Sequence, residues 1–344
     1  MLPFGYNHPW HRRHTPRVET IYMETILLAL ESGNLSIEQV DRVLEVAPDE
    51  ASVVMTRNRD DIRAILDQIE IAAGWFPAEL LPGAHRLRWY QQWSAGADWL
   101  LRHPEAAEAD FVLTSTSGIH AIQITEHVFA LLLSLARELP EALRAQERHE
   151  WIPQDKHDQL FELAEKTMLL VGVGAIGQRT ARIAAEMGVH VLGLRRDPSV
   201  DAPGVEEMFG PQHLLDLLPR VDFLVLTVPL TEETRGMIGE PELRALKPTS
   251  IIVNVGRGRT IEQEALIPAL REGWIAGAGL DVFDTEPLPS SSPLWDLENV
   301  IITSHYAGVT PHYDERALEV FLDNLHRYTA GKPLRNVVDK DLGY

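Results

Sequence analysis

Three residues whose types make chemistry together stand at intervals along the second half of the chain. They are Arg257 in NVGRG (254–258), Glu286 in AGLDVFDTEP (278–287) and His305 in SHYAG (304–308). Each follows an apolar run of strand length. In a parallel sheet the C-terminal ends of neighbouring strands share the edge where α/β proteins hold ligands. A guanidinium at that edge can grip a carboxylate and a carbonyl oxygen together. An imidazolium can give a proton to that oxygen as hydride reaches the carbon, and a carboxylate beside the ring favours its charged form. Such a set suits the reduction of a 2-keto acid by a nicotinamide. Taken singly, Arg257 reads as a surface salt-bridge residue, Glu286 as a loop acid and His305 as a satisfied loop histidine. Three of them at successive strand ends favour the chemistry.

Something must hold the nicotinamide against that edge, and residues 167–196, TMLLVGVGAIGQRTARIAAEMGVHVLGLRR, read as that device. Met168 to Val171 is a short apolar strand, Gln178 to Met187 carries helical apolar spacing, Gly188 closes the helix, and Val189 to Leu194 is a second strand. Between strand and helix lie Gly172, Gly174 and Gly177. They provide a tight turn, a close approach for a pyrophosphate, and close packing of helix on strand. The helix N-terminus turns free N–H groups toward phosphate charge. At the end of the second strand, where an NAD site usually carries an acid, stand Arg195 and Arg196. Two guanidiniums would hold a 2′-phosphate that a carboxylate would repel, so the expected cofactor is NADP in preference to NAD.

Composition narrows the field. With 344 residues the chain can hold two domains with full cores. It has no cysteine, which excludes disulfides, thiol nucleophiles, iron–sulfur clusters and Cys-ligated zinc, and no metal site is expected. The formal net charge of −20 argues against nucleic-acid and anionic-membrane partners. The longest clearly apolar helix candidate, Ile119 to Ala136, is interrupted by His120, Gln123, Glu126 and His127, so no bilayer span is expected. No signal peptide is visible, and the cytoplasm is the default. Residues 1–22 form a polar leader that reads as a disordered tail despite His8, His11 and His14, and Met23 is a candidate natural start.

From Thr25 the pattern alternates between strand and helix, first over 25–114 and again from 167 to 303, with 139–160 a charged connection. The small-residue loop Ser94-Ala95-Gly96-Ala97-Asp98 follows a strand and would show its backbone N–H groups to a ligand. Glu315 to Thr329 is an amphipathic helix. The expected class is α/β with two doubly wound parallel-sheet domains, a Rossmann cofactor domain inserted into a flavodoxin-like substrate domain. Residues 119–307 would form the first, and 1–118 with 308–344 the second. Trp75, Trp93 and Trp295 are candidates to shape an acyl pocket, with ordinary core or hinge positions at least as good a reading.

These motifs, together with VPLTEETRGMIG (228–239) and NLHRYTAGKPLRNVV (324–338), resemble the D-isomer-specific 2-hydroxyacid dehydrogenases over nearly the whole chain from Thr25. The resemblance implies that Arg257, Glu286 and His305 are the catalytic triad. Their separations of 29 and 19 residues look like those of glyoxylate/hydroxypyruvate-reductase-like branches. It also implies that the amides of Ala95 and Gly96 help bind the substrate carboxylate with Arg257. The cofactor would further touch Ala175, Ile176, Pro229, Thr234, Val255, Gly256 and Asp281. A homodimer joined through the cofactor domain is implied as well, with 119–137 and 139–160 as the contact. Two departures stand out: Ser304 replaces the usual proline before the histidine, and Arg195 replaces the usual acid. The activity implied is reduction of a small 2-keto acid, either over a broad range or as a dedicated glyoxylate/hydroxypyruvate reductase. The rival of another class is a dinucleotide-responsive, co-repressor-like binding protein, which the family also contains.

Overall fold

The structure, a computed structural model, describes residues 24–31, 33–157 and 160–343. The reading of 1–22 as a tail, its three histidines and a start at Met23 lie outside the described residues.

Five strands form the first sheet: β1 (Thr25–Ala29), β2 (Ser52–Met55), β3 (Ile69–Gly74), β4 (Trp89–Gln92) and β5 (Val112–Thr114). They pair in parallel in the order β2-β1-β3-β4-β5, the flavodoxin-like arrangement. Seven strands form the second: β6 (Thr167–Val171), β7 (His190–Leu194), β8 (Glu207–Phe209), β9 (Phe223–Leu226), β10 (Ile251–Asn254), β11 (Gly277–Leu280) and β12 (Val300–Ile302). Their order, β8-β7-β6-β9-β10-β11-β12, is that of the dinucleotide-binding fold with one strand added, again all parallel. Strands buried on both faces read as unbroken apolar runs, which is why Leu169 to Val171 and Phe223 to Leu226 are so legible; each residue is 0–1% exposed.

The helices are α1 (Ile37–Val46), α2 (Arg59–Ala64), α3 (Pro104–Ala107), α4 (Ala121–Ala136), α5 (Leu139–Glu147), α6 (Ala175–Glu186), α7 (Leu214–Leu217), α8 (Glu240–Ala245), α9 (Gln263–Arg271) and α10 (Tyr313–Thr329). A capping box between Ser36 and Gln39 starts α1. Val128 and Leu132 of α4 pack into the core of the second sheet, whereas Phe321 and Leu325 of α10 pack with Trp89 and Ile26 against the first. The chain therefore crosses from one sheet to the other between β5 and α4, and returns between β12 and α10. Trp89 stacks on Phe321 at 5.3 Å and on Tyr328 at 5.6 Å, seating the returning helix.

The structure departs from the sequence reading in several elements. The 139–160 connection contains α5, β8 adds an unforeseen strand to the second sheet, and α7 an unforeseen helix after it. The expected helix Asp60 to Gln68 divides into α2 and a 3₁₀ turn at Leu66–Gln68. Helix α6 begins at Ala175, three residues earlier than its apolar spacing suggests, because Gly174 is its N-cap and Gly177 lies inside it. Trp93 is fully buried and donates to Asp314 Oδ1 at 2.9 Å, so it is core and lines no pocket. Trp75 and Trp295 are 43% and 51% exposed. Among the described residues no helix is long and apolar enough to cross a membrane.

Candidate active site

The turn after β10 carries Arg257, and its shape is fixed by what surrounds it. Asn254, almost fully buried, accepts from the Gly256 amide at 3.1 Å and donates to the Arg257 carbonyl at 3.0 Å. A Cβ on Gly256 would come within 2.8 Å of the Val228 carbonyl oxygen, and one on Gly258 within 1.9 Å of the Phe283 backbone. Glycine on both sides lets the turn press into its neighbours while the arginine reaches out.

Arg257 crosses to the first sheet. Its Nε and Nη2 both donate to Asp98 Oδ1, at 3.1 and 2.9 Å, and its Nη1 donates to the Gly256 carbonyl at 2.8 Å. The side-on edge of the guanidinium is thus held by Asp98, which with the Gly256 carbonyl leaves one further N–H on Nη1 and one on Nη2. The same guanidinium lies against the loop after β4: a Cβ on Gly96 would stand 1.9 Å from Arg257 Nη2. Within that loop Gln92, 2% exposed, donates to the Ser94 and Gly96 carbonyls, both at 3.0 Å, and accepts from Trp99 Nε1 at 2.8 Å. Two carbonyls are turned onto Gln92, and the half-buried Gly96, next to the half-buried Ala95, borders the guanidinium. Sequence reading missed both Gln92 and Asp98. A glutamine at the end of a fully buried strand was the available signal for Gln92. Asp98 carried none, since its partner lies 159 residues away.

His305 and Glu286 meet at 2.7 Å between Nδ1 and Oε2, while the Phe283 amide donates to Glu286 Oε1 at 2.9 Å. With Nδ1 committed to the carboxylate, Nε2 is the ring nitrogen left for a substrate. His305 has φ of +53°, a left-handed conformation that a histidine holds only against a cost. What imposes it is Asp281, 1% exposed at the end of β11. Its carboxylate accepts from Thr303 Oγ1 at 2.5 Å and from the Tyr306 and Ala307 amides at 3.1 Å, and its carbonyl accepts from the His305 amide at 2.8 Å. Asp281, expected to touch a cofactor, anchors the histidine loop with its carboxylate. Ser304, in place of proline, is accommodated in the same loop.

Of the dinucleotide motif, Gly172 has φ of +98° and Gly177 approaches the Gly172 carbonyl so closely that a Cβ would sit 2.2 Å from it. A Cβ on Gly174 would meet nothing within 4 Å. The first and third glycines therefore serve the turn and the packing, and the second leaves an open approach to the uncapped N-terminus of α6, at Ala175 and Ile176. Gly188, with φ of +75°, ends that helix. Arg195 is half-buried with its Nη1 buried and unpaired among the described residues, while Arg196 Nη2 reaches Glu233 at 3.2 Å on the surface. An orphaned guanidinium nitrogen beside that strand end fits a phosphate. Thr234 donates to the Pro229 carbonyl at 2.7 Å and so braces its own loop. Val255, 6% exposed, packs with the core, so only its backbone borders the edge.

Residues 129–307 match the family model described as D-isomer specific 2-hydroxyacid dehydrogenase, NAD binding domain. A glyoxylate reductase of Korarchaeum cryptofilum is 35% identical over 324 residues, spanning 91% of this chain and 94% of that protein. Among solved structures, an NADPH-dependent glyoxylate/hydroxypyruvate reductase of Sinorhizobium meliloti, in complex with NADP and sulfate, is similar with a TM-score of 0.78. It is 29% identical, over 93% of this chain and all of that one. A D-isomer specific 2-hydroxyacid dehydrogenase of Xanthobacter autotrophicus, in complex with NADPH and MES, has a TM-score of 0.79 at 28% identity, over 94% of this chain and all of that one. Sheet order, motif and relatives agree: the chain belongs to the D-isomer-specific 2-hydroxyacid dehydrogenase family.

Proposed function

We propose that this NAD(P)-dependent 2-hydroxyacid dehydrogenase works as an NADPH-dependent reductase of small 2-keto acids of the glyoxylate and hydroxypyruvate class, with His305 as its acid. The observation that carries the reading is the His305–Glu286 contact of 2.7 Å at the same edge as Arg257. Relatives named glyoxylate reductase and the Sinorhizobium enzyme supply the substrate class.

The residues divide the work. The free N–H pair of Arg257 Nη1 and Nη2 takes a carboxylate oxygen and the keto oxygen, and the Ala95 and Gly96 amides take the rest of the carboxylate. Asp98 keeps that guanidinium from rotating away. His305 Nε2 gives its proton to the keto oxygen, and Glu286 holds the opposite nitrogen as the imidazole turns neutral. The amides at the start of α6 hold the pyrophosphate, with Gly256, Pro229 and the Val255 backbone along the same edge. When bound, the reduced nicotinamide supplies the hydride that the keto carbon accepts. NADPH and NADH oxidation over glyoxylate, hydroxypyruvate, pyruvate and phenylpyruvate tests the reading. Turnover led by the two smaller polar acids with NADPH is expected, and no turnover on any of them overturns it.

Arg195 and Arg196 read the 2′-phosphate, Arg195 from within and Arg196 from the surface. Arg195→Asp is expected to lower the NADPH-to-NADH ratio of kcat/KM by about 10-fold or more, two charge-assisted bonds being replaced by repulsion. Binding titrations by nucleotide fluorescence should show the same shift, and an unchanged ratio in both would remove Arg195 from the phosphate. Homodimer formation is supported by apolar side chains left exposed along α4, α5 and the connection after α5: Ile122, Leu133, Leu139, Leu143 and Trp151, the last 92% exposed. Sedimentation velocity reads this directly, and a 38.6 kDa species at micromolar concentration counts against it.

A further inference from the structure

At the two crossings between the sheets a histidine outside the triad stands near Arg257 with a ring nitrogen unused. His120 occupies the N-cap position of α4. Its ring meets Tyr313 edge-on at 5.3 Å and lies over Gly308, where a Cβ would come 3.1 Å from its Cδ2. Three of the surrounding side chains are satisfied. Arg316 donates to Gln123 Oε1 at 3.0 Å, Gln123 donates to the Gly308 carbonyl at 3.0 Å, and the Tyr313 hydroxyl donates to the Trp93 carbonyl beside Thr116. His120 Nδ1 and Thr116 Oγ1, by contrast, are buried and have no hydrogen-bond partner among the described residues. Burial first, then the Arg257 and Arg316 charges, push the His120 pKa down to about 4, so the ring is neutral under ordinary conditions.

A buried polar atom without a partner is costly, and such atoms in native structures point to a ligand or an ordered water. The anionic end of a 2-keto acid already has its partners in Arg257 and the Ala95 and Gly96 amides. A neutral imidazole adds no charge to that grip. What it suits is an uncharged group that can both donate and accept, a hydroxyl. A methyl in the same place would leave Nδ1 unpaired, which is how a polar subsite discriminates against an apolar isostere.

We propose that His120 forms a subsite for the C3 hydroxyl of the substrate, so that the chain selects 3-hydroxy-2-keto acids such as hydroxypyruvate over their 3-deoxy counterparts. This rests on the reading of the site given above. The test compares kcat/KM for hydroxypyruvate and pyruvate, with NADPH, in the unsubstituted enzyme, His120→Phe and His120→Asn, with melting temperatures alongside. Phenylalanine keeps the ring packing and removes the nitrogen, while asparagine keeps a hydrogen-bonding group. The hydroxypyruvate-to-pyruvate ratio is expected to fall about 10-fold in His120→Phe and to recover in part in His120→Asn. A ratio that stays unchanged overturns the subsite. If both substrates then lose turnover together, His120 only braces the crossing; if neither does, water satisfies its nitrogen. An unsubstituted enzyme that turns over no 2-keto acid overturns the parent reading instead, a result these variants cannot mimic.

Discussion

His305→Gln is expected to lower kcat by about 100-fold or more while NADPH binding is retained. Glutamine has similar length and can still donate to Glu286, which His305 meets at 2.7 Å, so the loop keeps its anchor. It has no proton to give at neutral pH. Loss of a positioned general acid costs typically 10²–10⁴-fold, and water in the vacated space is a poor substitute because it is neither oriented nor acidic enough. Stopped-flow oxidation of NADPH measures the loss, and a fluorescence titration checks that the cofactor site survives. Turnover within a few-fold of the unsubstituted enzyme would falsify the assignment of His305 as the acid.

Arg257→Lys should be nearly as damaging, with kcat/KM down about 100-fold or more. The substitution keeps a positive charge, so simple attraction of the keto acid persists. What disappears is the planar fork. Arg257 gives two N–H groups to Asp98 and has further N–H groups for a second partner, whereas a lysine ammonium has three donors about one atom and cannot serve both partners in fixed directions. Two charge-assisted bonds to substrate at roughly 1.5–3 kcal/mol each are at stake. Both KM and kcat should suffer, since the arginine binds the carboxylate and orients the carbonyl. A rise in KM alone, at unchanged kcat, would mean that Arg257 supplies charge and nothing more.

Arg257, Glu286 and His305 were legible because each follows an apolar strand, Glu286 six residues past its end, and an apolar run followed by a glycine-rich or polar turn is a local signal. The cofactor sheet was legible for the same reason. What escaped depends on contacts distant in sequence. Asp98 matters only because Arg257, 159 residues on, reaches it, and Asp281 could be placed at the right strand end but not seen to commit its carboxylate to the Thr303–Ala307 turn. The start of α6 was placed late because glycine disfavours helix; here Gly177 is required by the Gly172 carbonyl, a tertiary demand that overrides propensity. Strand β8, Glu207–Phe209, is too short to show a period. Helix α5 follows Glu138 in a left-handed conformation, and its charged face masks its few apolar positions.

The two crossings also set an order of birth for the molecule. Every strand of the seven-stranded sheet, and α4 that packs on it, is made in one uninterrupted stretch, so that sheet is complete once Ile302 has left the ribosome. The five-stranded sheet is made first and finished last. Its strands emerge early, yet Trp89 waits for Phe321 and Tyr328, and Thr114 for its bridge to Val337. During synthesis the earlier-born sheet is the one with an open apolar face, exposed while the whole cofactor fold is translated and folds. A shortened chain lacking α10 would therefore leave the cofactor half able to fold and the substrate half uncovered, a prime target for chaperones and proteases.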